Sequence, residues 1–373
     1  MQGQPIRDRC SASRPSPLLP YTPAPLPPVP SPVLVSPISK PPRSLDELLP
    51  PALAAKIDRL DVFSRKVFAG KLPGERRSKR RGRSVEFDDF RNYAMGDDLR
   101  HIDWNIYARF DRLVVKLFRE EEDMGVHVIV DASPSMAAGE EQSREAFPSG
   151  GSSGVIPSKA VYAHQLAMAL AYIGLVRNNR VSVASVGGTG NAGVRRLLPV
   201  RGRTSLRRVS DFLVESVAGV GTRSGVPLGE SVRDVVRRLS GRGIIVFVSD
   251  LLAPPSEIDA TARSLALGGS GGGGGGAALD AYILHTLAPS EIDPSRTQGL
   301  VGDLRLTDVE SLLGVEMTIT PASIARYRQR LAAFVDDARE TCRSRGVAHF
   351  LVPTDTPIDR LLVDSLRRGG MLR

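Results

Sequence analysis

The sequence predicts an α/β fold, a mostly parallel sheet with helices on both faces, preceded by a segment of different character. Three observations carry this. Short apolar runs recur at Val126–Val130, Ile244–Val248 and Ala281–His285, as strands covered on both faces require. Stretches of helical period separate them, the alternation that builds a parallel sheet. Two of the runs end in an acid, Asp131 and Asp250, which puts polar chemistry where strands stop.

The elements follow in chain order. Fifteen of the 28 prolines fall within the first 51 residues, so residues 1–43 read as a disordered or polyproline-like tail. Ser44 caps a short helix, and a second helical pattern runs from Leu53 to Phe68. Residues 71–83 hold seven basic residues and one acidic residue. Residues 84–124 mix aromatics, acids and arginines, with Leu113–Phe118 as a strand. Residues 44–124 thus form a lead-in to a domain over residues 125–373.

Within that domain Val126–Asp131 is the first strand, and residues 137–157 are a loop or insertion. Ser158 begins a long helix with apolar positions at Tyr162, Leu166, Ala169, Leu170, Ile173 and Val176. Strands at 181–186 and 194–199 are joined through Gly187, Gly188 and Gly193. Helices are expected at 204–217, 228–239 and 256–266, the last running into a glycine-rich loop at 268–276. After the strand at Ala281–His285 come a hairpin at 300–320 and a helix from Pro321 to Arg345. A strand at Val347–Val352 and a helix at 357–368 close the chain.

Composition narrows the function. The chain has 373 residues and a net charge of +9, concentrated in the basic run. That run suits nucleic acid, an acidic partner or an anionic surface, or is a solvated linker. It has no interleaved aromatics of the kind that stack on single strands, so DNA is not expected as the main ligand. Two cysteines, Cys10 and Cys342, make no disulfide framework and no metal-ligand spacing, which fits a reducing cytoplasm. No uninterrupted apolar run reaches the length of a membrane span and the N-terminus has no apolar signal core, so direct membrane insertion is not expected.

Asp131-x-Ser133-x-Ser135 gathers a carboxylate and two hydroxyls at a strand end. Such hard oxygens suit Mg²⁺, with Mn²⁺ and Ca²⁺ accepting the same set. The alternative is that they cap the next helix. In a parallel sheet ligands bind beyond the carboxyl ends of the strands. Asp250, at the same edge, tips the balance toward a metal.

The pattern of Asp131, Ser133 and Ser135 with Asp250 resembles the metal-ion-dependent adhesion site (MIDAS) of von Willebrand factor A domains. The lead-in segment is more specific. Phe87-Asp88-Asp89-Phe90-Arg91-Asn92-Tyr93, followed by Gly96, Asp97, Asp98, Arg100, Asp103, Trp104 and Arg109, resembles the hallmark of the bacterial domain of unknown function 58 (DUF58) family. The resemblance covers about residues 45–373. It implies a Rossmann-like von Willebrand A-type sheet and a Mg²⁺ site used for binding. It also implies work with a MoxR-type AAA+ ATPase and a client protein in assembly or maturation. One position departs from the pattern: Val226 stands where such domains carry a threonine ligand. That leaves Thr222, Ser224 or water to supply an oxygen.

The expected function is therefore metal-dependent protein–protein interaction rather than catalysis. The alternatives are a metal-dependent hydrolase or phosphatase using Asp131, or nucleic-acid binding through 71–83. No Ser/His/Asp set, nucleophile elbow or P-loop supports an enzyme, and His127 and His285 read as packed inside strands. The acids and arginines of the lead-in are either a second functional surface or ion pairs that fix an irregular segment, with Trp104 packed on the core as an anchor. Glu120, Glu121, Glu122 and Asp123 read as a solvated acidic rim.

Overall fold

The structure, a computed structural model, describes residues 40–64, 85–95, 97, 99–120, 124–142, 155–191, 193–222, 224–269, 278–297, 300–307 and 314–373. The proline-rich tail to residue 39, the basic run, Gly96, Asp98, residues 121–123 and the glycines 271–276 lie outside the described residues.

The lead-in contributes strands β1 (Val85–Asn92) and β2 (Val114–Glu120), paired antiparallel. Six further strands form one Rossmann-like sheet: β3 (Met124–Asp131), β4 (Arg180–Asn191), β5 (Val194–Val200), β6 (Arg242–Ser249), β7 (Ala278–Leu287) and, after the hairpin β8 (Gly302–Thr307) and β9 (Gly314–Ile319), β10 (Ala348–Pro353). Their order is β10-β7-β6-β3-β4-β5. Only the edge strand β5, which carries Arg195, Arg196 and Pro199, pairs antiparallel.

Helices cover both faces, as expected. Alternate side chains of a strand point to opposite sides, and the core divides accordingly. Val126, Val128 and Val130 of β3 face helix α4 (Lys159–Val176) and Leu213 of α5 (Leu206–Ala218). Ile129 and, from β6, Phe247 face α6 (Leu228–Val236), α7 (Pro255–Gly269) and α8 (Pro321–Ser344). Burying a side chain such as Phe247, which is wholly enclosed, stabilises by about 1.5–3 kcal/mol.

Helix α4 is apolar on every side, and its position explains why: it lies inside the fold. By length and composition it would pass as a membrane span, but 89% of it is buried within the protein. Ser158 starts it by accepting a hydrogen bond from the Val161 amide at 3.3 Å.

Three expectations are corrected. The helix expected from Leu53 to Phe68 ends at Ile57, as Pro51–Ile57, because Asp61 and Phe63 exchange backbone hydrogen bonds with Arg373 and Met371 instead. Tertiary pairing here overrides helix propensity. Leu48, Leu53 and Ile57 join the main core beneath α4. The last helix begins as an α turn at Ile358–Arg360 but continues as a π-helix over Leu361–Leu366.

Trp104 is the third correction. It opens the short helix α3 of the lead-in (Trp104–Phe110 in chain order, between β1 and β2), is 58% exposed, and meets Tyr107 edge-on. The anchor of this segment is Asp103. Its carboxylate accepts the Asn105 and Ile106 amides at 2.9 and 3.2 Å and pairs with Lys116 at 2.9 Å. These bonds, the Lys116 contact foremost, hold the acid below the usual carboxylate range. Arg91 pairs with Asp97, whose carboxylate also accepts the Ala94 amide at 2.9 Å. The ion-pair reading of these charges therefore describes Arg91, Asp97 and Asp103.

Candidate functional site

The chain leaves β3 toward β4 on one side, and leaves β6, the other neighbour of β3, toward β7 on the opposite side. Between two strands whose exits diverge, a crevice opens at the carboxyl edge. Asp131 ends β3, and Ser249 and Asp250 end β6, so both acids fall at that crevice. A cleft of about 320 Å³ lies there. Asp131, Ser133, Ser224, Asp250 and Glu257 supply its polar lining, and Val226, Leu228, Leu252 and Pro254 much of its apolar lining.

Asp131 is buried and held at both oxygens. Oδ1 accepts the Ser133 amide at 2.9 Å, and Oδ2 accepts the Ser249 hydroxyl at 2.6 Å. The hydroxyls of Ser133 and Ser135 are 3.1 Å apart. Burial, with Asp250 nearby, pushes the Asp131 carboxyl up to about 7 despite these donors. The backbone makes room for the site at Gly187. Its φ is +82°, and a Cβ there would lie 3.0 Å from Asp131 Oδ1 and 3.2 Å from the Ser133 nitrogen. Leu251, directly after Asp250, is held at φ 51°, a conformation costly for a branched side chain.

Asp250 is committed in the same way. Oδ1 accepts the Leu252 amide at 3.1 Å, and Oδ2 accepts Lys159 Nζ at 2.8 Å. Lys159 is wholly buried and also pairs with Glu291, whose other oxygen accepts the Ala288 amide at 2.8 Å. Burial opposes the ammonium's charge, but Asp250 and Glu291 outweigh it and raise Lys159 above its ordinary value. Burial likewise raises Glu291, against the pull of Lys159.

The structure thus brings together Asp131, Ser133, Ser135 and Asp250. It does not bring Thr222, which is exposed on its loop and does not line the cleft. Of the two side-chain oxygens the sequence offered beside Val226, Ser224 lines the cleft, its hydroxyl bonding the Val226 backbone at 3.2 and 3.3 Å. None of Arg91, Tyr93, Asp97, Arg100, Asp103, Trp104 or Arg109 lines the cleft.

Sequence reasoning missed four residues here: Lys159, Ser249, Glu257 and Glu291. Two left a signal. Ser249 adjoins Asp250, and Glu257 opens the helix after it, accepting the Gly229 amide at 3.1 Å. Lys159 and Glu291 are 132 positions apart, and nothing local marks them as a pair. His127, His164 and His285 are buried, and desolvation holds them neutral at about 4, about 4 and about 3.

A hard divalent cation would find here a buried carboxylate, the Ser133 hydroxyl and a second carboxylate; Ser135 does not line the cleft, its hydroxyl lying 3.1 Å from that of Ser133. Among the described residues there is no cluster of three or more histidine, cysteine, aspartate or glutamate side chains that could hold a metal ion, so hydroxyl oxygens would have to complete any set here. Residues 89–271 match the family described as "Protein of unknown function DUF58". The chain is also similar to an uncharacterized protein of Mycobacterium bovis, at 26% identity over 86% of this chain and 92% of that protein. Uncharacterized proteins of two Mycobacterium tuberculosis strains match to the same extent.

Proposed function

Residues 89–271 belong to the DUF58 family, and from that premise we propose that the protein is a metal-dependent protein–protein interaction module of von Willebrand A type. The observation that carries this reading is Asp131: a buried carboxyl at the switch-point cleft, flanked by paired hydroxyls and pushed up to about 7 by burial and Asp250. An acid in that setting gains most when a cation neutralises it.

In this reading Asp131, Ser133 and Ser135 hold Mg²⁺, with Mn²⁺ or Ca²⁺ as substitutes. Asp250 would act through water, since the buried ammonium of Lys159 already holds its Oδ2 at 2.8 Å, whereas Asp131 accepts only an amide and a hydroxyl. Ser224 or water fills the position that Val226 leaves without an oxygen. A cation held there would supply positive charge for a partner's carboxylate to meet. The rest of the work belongs to the protein: Ser249 and the Ser133 amide orient Asp131, and the apolar wall of Val226, Leu228 and Leu252 limits water at the cleft.

The family resemblance makes a MoxR-type AAA+ ATPase in the cytoplasm, acting on a client protein, the partner to test first.

The test is thermal unfolding in EDTA and then in Mg²⁺ or Mn²⁺, for the parent and Asp131→Ala. A ligand bound only by the folded state raises the midpoint. The expected result is a metal-dependent rise in the parent that the variant lacks, followed by metal-dependent co-purification of the ATPase. Equal rises in both proteins, or none in the parent, would overturn the site.

A further inference from the structure

We propose that Lys159 is the residue that sets the charge of this site and restricts it to divalent cations. The inference rests on the metal reading above and goes beyond it. Lys159 does not line the cleft. It lies behind Asp250, as the first residue of α4, with Nζ 2.8 Å from Asp250 Oδ2 and in contact with Glu291. All three side chains are buried, at 0%, 1% and 6% exposure. Water therefore screens little of their charge.

The charges in this enclosed region do not cancel. Asp131, Asp250 and Glu291 bring three negative charges and Lys159 one positive, which leaves two negative in excess when all are ionised. One divalent cation balances that excess. Without the ammonium the excess is three, which a trivalent ion matches better. Glu257 adds a further charge at the cleft, but it is only partly buried and solvent reaches it. Lys159 also occupies the Asp250 oxygen that would otherwise be available to the ion, which keeps Asp250 as an outer, water-linked partner.

A merely structural lysine, tying the start of α4 to the end of β6 and to the turn at Pro289–Ile292, would leave cation preference where it is. The comparison is between the parent, K159M, E291Q and the double variant K159M/E291Q. K159M raises the negative excess by one, E291Q lowers it by one, and the double variant restores the parental value with an uncharged, similarly sized pair. The double variant still leaves Asp250 buried without Lys159, so E291Q, which keeps the Lys159–Asp250 pair, carries the test if the K159M proteins do not fold.

The readout is Tb³⁺ luminescence with Mn²⁺ as competitor, with all four proteins held at one pH of about 8, well above the ordinary carboxyl range. K159M should shift preference toward Tb³⁺ by about tenfold or more, as one unscreened unit charge at this range implies. E291Q should shift it the other way, and the double variant should return to the parental ratio. Variants that keep the parental ratio while folded, or a double variant whose ratio departs from the parental one, would overturn the role of Lys159 alone. A parent that binds neither ion would overturn the metal reading and this inference together.

Discussion

At the carboxyl edge of the sheet, Lys159 is wholly buried between two acids and every oxygen of Asp131 and Asp250 accepts a donor. In the lead-in hairpin Asp103 is buried too, but the aromatic rings stand in the open and the ion pairs are only partly covered. Trp104 is 58% and Phe110 68% exposed, and Arg91 pairs with Asp97 at a partly exposed site. Both regions are rich in charge and motif. They differ in what lies behind them: the edge is backed by strands with helices on both faces, the hairpin by no comparable layer among the described residues. A charge is worth what its surroundings make it worth. In water an ion pair contributes little, and in a core it decides whether the fold tolerates it.

The sharpest way to break this contrast is Lys159→Ala. Leaving Asp250 and Glu291 buried without their cation should cost about 3–5 kcal/mol in chemical denaturation. A cost below about 1 kcal/mol would put the edge on the same footing as the hairpin.

The pH dependence of metal-free protein is the next test. Between the ordinary carboxyl value and about 7, the folded chain keeps a proton on Asp131 that the unfolded chain has lost. Stability must then fall as pH rises through that window. Measured in EDTA against Asp131→Asn, the parent should lose at most about 4 kcal/mol across it. A difference that is flat with pH would mean that Asp131 is not desolvated as described.

Ser158→Ala probes the edge more gently. It removes the cap of α4 and should cost about 1 kcal/mol. Trp104→Ala should be the mildest, within about 0.5 kcal/mol, because the ring is mostly in solvent already. A loss of several kcal/mol there would restore the anchoring role that the sequence suggested.

Much of the fold was legible because strands buried on both faces cannot hide. Ile244–Val248 is apolar without interruption and Val126–Val130 is broken only by His127, and the acids that follow them mark the edge where ligands sit. Ser158 announced α4 for an equally local reason, a side chain that bonds the first turn. What was not legible depends on contacts between distant parts of the chain. Asp61 and Phe63 meet Arg373 and Met371 only after folding, and so end a helix that propensity would extend. The partnership of Lys159 with Glu291 is hidden for the same reason. Trp104 misled because a lone tryptophan beside an acid suggests burial, while its exposure depends on which neighbours the hairpin has.

The composition of β5 has a bearing on how this protein behaves at high concentration. An edge strand offers its unpaired backbone to any other strand, including a copy of itself. Pro199 has no amide hydrogen to offer, and Arg195 and Arg196, held by Glu215 and Asp234, would set like charge against like in a self-paired ribbon. The open side of the sheet thus resists lengthening into fibrils. A hydrophobic replacement of these three residues would turn the same strand into a template for aggregation.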